Sequence, residues 1–259
     1  MAVRQSRNRV FAERGEAQVS IQACADLVAR ADPRRFRAAM AAPVPARDIL
    51  LPLYAFNVEV SRAPWVTEEP MIAEMRLQWW RDALEEVAEG RGRRHDVVDA
   101  LAFLDADGAA TLDRLVAARR WDIYKDPFED AGHFDDYLRA TGAGLMQVAA
   151  RALGHDGDVT ALGYAAALAR FLVAVPDLEA RGRVPMVDGR AEAVAAMAQG
   201  ALGAMPRRMP GPAGFEAAGA RAILSLAARD PMAVAEGRLE GAPIAERWAL
   251  MKAALFGRV

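Results

Sequence analysis

The chain has 259 residues, 53% of them hydrophobic and 26% charged, and a formal net charge of −2. That apolar fraction excludes intrinsic disorder, and the near-neutral balance lacks the basic excess of a nucleic-acid binder. A single cysteine, Cys24, excludes an internal disulfide and zinc sites built from cysteine pairs.

The first residues, Met1 to Glu16, carry Arg4, Arg7, Arg9 and Arg14 without an apolar stretch behind them. They are expected to form a flexible tail rather than a secretory signal, leaving 17–259 as one domain. Good helix formers dominate the remainder, and helical rather than alternating periodicity predicts helices over 17–31 and 46–62. A third helix starts around Thr67-Glu68-Glu69-Pro70 and ends before Gly90, with Thr67 as cap and Met71, Met75, Trp79 and Leu84 as its apolar stripe. Further helices are predicted at 95–105, 109–125, 132–153, 158–178, 190–205, 213–229 and 243–256. Breaks fall at Asp32-Pro33, Ala63-Pro64, Asp126-Pro127, Gly154–Gly157, Gly182–Gly189 and Pro206–Pro212. Helices 46–62 and 158–178 are apolar almost all round and belong at the centre. The fold class is therefore all-α, a single domain of about ten helices. No apolar run reaches the roughly 20 residues that cross a bilayer, so the chain is expected in the cytoplasm.

The usual catalytic constellations are missing. His95, His133 and His155 read as surface or capping residues, and Ser20, Ser61 and Ser225 lack a nucleophile-elbow context. No Walker loop, dinucleotide fingerprint or His-Glu-x-x-His occurs. Asp82/Glu86 and Glu85/Glu89 have the i, i+4 spacing of metal-binding carboxylates but fall on a polar helix face. Asp122/Asp126 shares that spacing, with Pro127 directly behind it and Lys125 competing for charge. Arg30, Arg34, Arg35, Arg37 and Arg47 form a basic cluster, either a solvated rim or a site for phosphate or anionic lipid.

Four segments, taken together, carry a resemblance. Leu53-Tyr-Ala-Phe-Asn57 is followed by Met75-Arg-Leu-Gln-Trp-Trp-Arg-Asp-Ala-Leu84, and Tyr137-Leu-Arg-Ala-Thr-Gly-Ala-Gly-Leu145 precedes Arg181-Gly-Arg-Val184. Over about 20–190 this order resembles the squalene/phytoene synthase family, all-α enzymes of the isoprenoid synthase fold that join two prenyl diphosphates in a central cavity. Such enzymes hold Mg²⁺–diphosphate on two Asp-x-x-x-Asp motifs. Here the first motif's positions fall on Ser61, Arg62 and Trp65, and the second's on Ala174 and Leu178. The resemblance thus implies no catalytic residue and no metal site, with Mg²⁺ needed only if the chain is an active prenyltransferase using Glu59, Asp122 or Asp126. The strings around Ala55-Phe-Asn-Val-Glu59 and Met75–Trp80 are similar to the family's non-catalytic branch, which includes a mitochondrial complex I assembly factor. That implies a protein partner in respiratory-complex assembly, at most peripheral membrane association, and an inner-face location. An isoprenoid or lipid ligand in the old cavity is the further implication, with Arg47, Tyr54, Asn57, Arg62, Thr141, Gly144 and Arg183 as its candidate contacts. Arg62 is expected to face that cavity.

Overall fold

The computed structural model describes residues 19–257. The expected tail over 1–16 lies outside them. In chain order the helices are α1 (19–31), α2 (Pro33–Ala41), α3 (Val44–Arg62), α4 (Pro70–Ala88), α5 (Asp96–Ala100) and α6 (Ala106–Ala118), then α7 (Ala131–Leu138), α8 (Gly144–Ala152) and α9 (Thr160–Ala180). The chain closes with α10 (Ala191–Ala204), α11 (Ala220–Arg229), α12 (Met232–Ala235) and α13 (Pro243–Phe256). Short 3₁₀ turns cover Ala63–Trp65, Arg119–Asp122 and Gly211–Ala217.

The two helices with apolar residues on every side are the buried ones. From Leu50 to Val58 every residue of α3 is buried, and α9 buries Leu162, Ala165–Ala169, Phe171, Leu172 and Val175. Each tolerates an internal proline, Pro52 and Pro176, because surrounding helices supply the packing that holds the turn. At 21 residues α9 is also long and apolar enough to cross a membrane, although Arg170 and Asp177 interrupt its apolar run. Much of it instead lies within the bundle.

Several local readings change. The break at Asp32-Pro33 ends α1 but opens another helix at once: Asp32 Oδ1 accepts from the Arg35 amide at 3.0 Å and Pro33 takes the first turn. This α2 is rich in arginine, which hid it from a search for apolar periodicity. Helix α4 starts at Pro70, and Thr67 instead accepts from the Glu69 amide in the turn before it. Its core face carries Ala73, Leu77, Trp80, Ala83, Leu84 and Val87, whereas Met71 and Met75 are exposed and Trp79 is half-buried. The stripe expected through Met71 and Met75 is thus rotated, because Trp80 meets the buried Phe56 ring edge-to-face at 5.3 Å. The stretch expected as one helix over 213–229 is split by Gly219, whose φ of 88° only glycine adopts freely.

Helices α7 and α8 run on through a π turn, Arg139–Ala143. There the chain passes so close to α9 that a Cβ on Gly163 would sit 2.6 Å from the Ala143 Cα, and one on Gly142 would overlap the Ala167 methyl. Small residues therefore set the distance between α9 and the helix beside it. Gly163→Ala is expected to cost about 1–3 kcal/mol in urea unfolding, because backbone must move. Gly200→Ala, in α10 with nothing within 4 Å, is expected to gain about 0.5–1 kcal/mol from helix propensity alone. Equal effects of the two substitutions would refute the close-packing account.

Candidate functional site

A cavity of about 400 Å³ opens between the start of α2, the end of α3, the 119–122 turn, the α7–π segment and the last turns of α9. Ala31, Val58, Leu138, Ala167 and Phe171 give it apolar walls. Its polar lining is unusual in sign: Arg35, Arg62, Arg119 and Arg170 against Asp32 and Asp122. Both aspartates are already engaged by arginine.

Asp32, the cap of α2, takes an ion pair from Arg35 Nη1 at 3.2 Å. Arg35 also donates through Nε to Glu216 Oε2 at 2.6 Å, and Arg170 reaches the same oxygen at 3.3 Å. Glu216 sits on the 211–217 turn with its side chain almost fully buried. Burial pushes the Asp32 carboxyl up, but the charges and hydrogen bonds of Arg35 outweigh it and hold the group below the ordinary value. For Arg170, burial and then the like charge of Arg35 pull the pKa below that of an ordinary arginine. A guanidinium depressed in this way still carries its charge, so the wall offers a cation only partly answered by Glu216.

On the facing wall Arg119 Nη1 donates to the Tyr137 hydroxyl at 2.6 Å and to Asp122 Oδ2 at 3.0 Å. Tyr137 in turn donates to Asp122 Oδ1 at 3.1 Å. Burial raises the Tyr137 pKa, so the phenol keeps the proton it gives to Asp122. Behind this triad Trp121 stacks on Phe128 with ring centroids 4.0 Å apart.

Residues 28–188 match the model of the squalene/phytoene synthase family. The chain belongs to that family. It is 28% identical over 177 residues to a Drosophila melanogaster homolog of NADH dehydrogenase (ubiquinone) complex I assembly factor 6, an alignment covering 63% of this chain and 53% of the relative. The chain therefore spans about half the length of the curated relative it matches. A dehydrosqualene synthase crystal structure superposes with a TM-score of 0.67 at 15% identity, covering 93% of this chain and 97% of that one. The shared architecture is the helical isoprenoid synthase fold.

The positions that the resemblance gives to the two motifs share one cavity. Ser61, Arg62 and Trp65 at the end of α3, and Ala174 and Leu178 on α9, all line the one cavity. Arg62 faces it from an exposed position. Among the described residues no three His, Cys, Asp or Glu side chains come together as a metal cluster. A Mg²⁺-bound diphosphate needs several carboxylates free to bind the ion, and these side chains do not fit that requirement.

Of the other candidate contacts, Asn57 and Thr141 line the cavity. Asn57 Oδ1 is buried without a partner among the described residues, and Thr141 donates to the Tyr137 carbonyl at 2.7 Å. Tyr54 is buried beside Arg35, which lies 5.5 Å over its ring. Tyr54 is therefore behind the wall rather than on it, and three more candidates stand elsewhere. Arg47 is spent on the carbonyls of Met40 and Ala42, at 2.9 and 3.1 Å, closing the end of α2. Gly144 faces the Thr111 methyl on α6. Arg183 donates to the carbonyls of Trp121, Asp122 and Tyr124 and is sandwiched between the Trp65 and Trp121 rings. Its donors are occupied in fastening a turn, not in holding a head group.

Most of the basic cluster is likewise committed to partners. Arg34 and Arg37 pair with Glu246 of α13, and Arg35 with Asp32 and Glu216. Arg30 is exposed, so the cluster is part solvated rim and part ion-paired strut, with four of its five members holding protein partners. Asp122 and Asp126, level in sequence spacing, separate in space: Asp122 is buried on Tyr137 and Asp126 is exposed. Glu86 pairs with Arg93 at 2.7 Å. His95 caps α5 by accepting from the Val97 amide, as a capping histidine should. The residue that local reading missed is Arg170, and a signal was present: it is the one charge between Thr160 and Pro176 of α9.

Glu216→Gln leaves Arg35 and Arg170 without their shared counter-charge and is expected to cost about 3–5 kcal/mol in chemical denaturation. The pH dependence follows from Asp32, whose depressed folded pKa means that the ionised form stabilises the fold. That contribution is intact above the ordinary value of 3.8 and lost as pH falls through the lower folded value. Asp32→Asn, which retains a capping side chain, is expected to flatten this part of the acid limb in a pH series of unfolding curves. An unchanged acid limb would show that the Arg35 pairing does not act on Asp32.

Proposed function

We propose that this chain is a catalytically degenerate member of the squalene/phytoene synthase family that acts as a binding or assembly factor, with respiratory complex I as its client. The observation that carries the reading is the cavity wall. Positions where the enzymes place ionised carboxylates hold Ser61, Arg62, Trp65, Ala174 and Leu178, and the remaining acids, Asp32 and Asp122, are tied to arginines. A cavity with this lining repels Mg²⁺ and attracts an anion. Likeness to an assembly-factor homolog supports the client. The reading needs no metal cofactor and places the chain in the cytoplasm, peripheral to the inner face of the membrane. The cavity then serves to hold an anionic isoprenoid or lipid, its head group toward Arg170 and Arg62 and its tail along Val58 and Phe171.

The alternative is an active prenyltransferase that condenses prenyl diphosphates head to head with rearranged ligands. Asp122 gives it a specific foothold, since it does line the cavity. Incubation with Mg²⁺ and labelled farnesyl or geranylgeranyl diphosphate separates the two. No pyrophosphate release is expected; release that a chelator abolishes would restore the enzyme. The assembly role is tested by deleting the gene in the source organism and following the respiratory NADH dehydrogenase on native gels. Loss of the assembled complex, rescued equally by wild type and by Asp122→Asn, is the expected result. Full assembly in the deletion strain would dismiss the role.

A further inference from the structure

Helix α13 carries an apolar stripe that nothing among the described residues covers. Ile244, Trp248, Met251 and Leu255 follow the i, i+4, i+7, i+11 spacing of one helix face and are 41–66% exposed. The direction of that face is fixed by the opposite one. There Glu246 accepts ion pairs from Arg34 and Arg37, Leu250 packs on the core, and Ala253 is buried. The end is pinned by the Gly257 carbonyl, which accepts from the Met209 amide at 3.0 Å. The stripe is thus presented outward by a docked helix.

Charge on this helix is sorted as sharply as polarity. At 100° per residue Arg247 and Lys252 fall on opposite flanks of the stripe, and both are exposed. The one acid within Pro243–Phe256 is Glu246, turned inward and bound by two arginines. The outer surface is therefore apolar along its middle and cationic along both edges. A cleft at the start of α13 sets Arg34, Arg37 and Arg247 against Asp32, Glu240 and Glu246 and so adds no net charge to this surface. Cationic side chains on both edges of an apolar stripe match the depth profile of a phospholipid leaflet, where long stems can lie along the acyl boundary with their charged heads at the phosphates.

We propose that α13 lies in the headgroup layer of an anionic lipid bilayer, with Ile244, Trp248, Met251 and Leu255 inserted and Arg247 and Lys252 on lipid phosphates. This deepens the peripheral placement above by naming the surface and the lipid chemistry. Its test uses purified protein and lipid alone, so its failure leaves the assembly experiment to stand or fall separately. In cosedimentation the wild type is expected to bind phosphatidylcholine vesicles containing phosphatidylglycerol and to weaken as salt rises. The exposed double substitution Trp248→Glu with Leu255→Glu is expected to lower partitioning about tenfold or more while leaving circular dichroism and melting unchanged. Arg247→Glu with Lys252→Glu is expected to abolish the preference for anionic vesicles. Failure of the wild type to bind these vesicles would overturn the proposal, as would wild-type binding by the folded Trp248/Leu255 variant. A dimer that the same variant dissociates, with no vesicle binding, would overturn it in favour of a second copy of the chain.

Discussion

One buried acid, Glu216, holds together the parts of the fold that surround the cavity. It brings Arg35 of α2 and Arg170 of α9 to a turn more than forty residues further along the chain. Desolvating a guanidinium is costly, and a lone buried charge would reject the packing that creates it. With Glu216 and Asp32 in place, α2 closes one side of the cavity, and Arg170 keeps its charge at the wall. The arrangement ties stability to cavity chemistry: the arginines that shape the electrostatics also anchor the helices that form the walls.

A family built to bind metal-neutralised diphosphate needs an acidic cavity, because the ions mediate between carboxylate and phosphate. In the reading proposed here that polarity is reversed on a retained scaffold, since the positions that the resemblance gives to the aspartates, Ser61, Arg62, Trp65, Ala174 and Leu178, line one cavity. The helix spacing around the cavity is set by small residues at the α9 crossing, Gly142 and Gly163. Architecture and cavity lining are thus controlled by different residues.

Much of this was legible in the sequence, and the boundary has a physical cause. Helices α3 and α9 announce themselves because a helix buried on all sides must be apolar on all sides. The cavity positions of Ser61, Arg62, Trp65, Ala174 and Leu178 followed from resemblance to a pattern whose spacing is local. Features set by distant partners were not legible. The ion pairs of Arg35 with Glu216 and Arg34 with Glu246 join residues 181 and 212 positions apart, and no local spacing encodes them. The face of α4 was misjudged for a related reason. Met71, Met75 and Trp79 lie on one stripe and Ala73, Leu77 and Trp80 on the next, and the Phe56 ring decides between them. The roles of Arg47 and Arg183 depend on backbone carbonyls, which carry no sequence signal at all.

The stacking of Trp65 has a mechanical consequence. Its ring lies under the guanidinium groups of Arg181 and Arg183, 5.0 and 4.8 Å from its centre, and Arg183 in turn fastens the turn that carries Asp122. The indole is therefore a structural member. An aspartate at 65 would strip the ring from both arginines and loosen the opposite wall. The ring acts as a keystone: without it two guanidinium groups lose the face they rest on, and the turn that Arg183 fastens loses its backing.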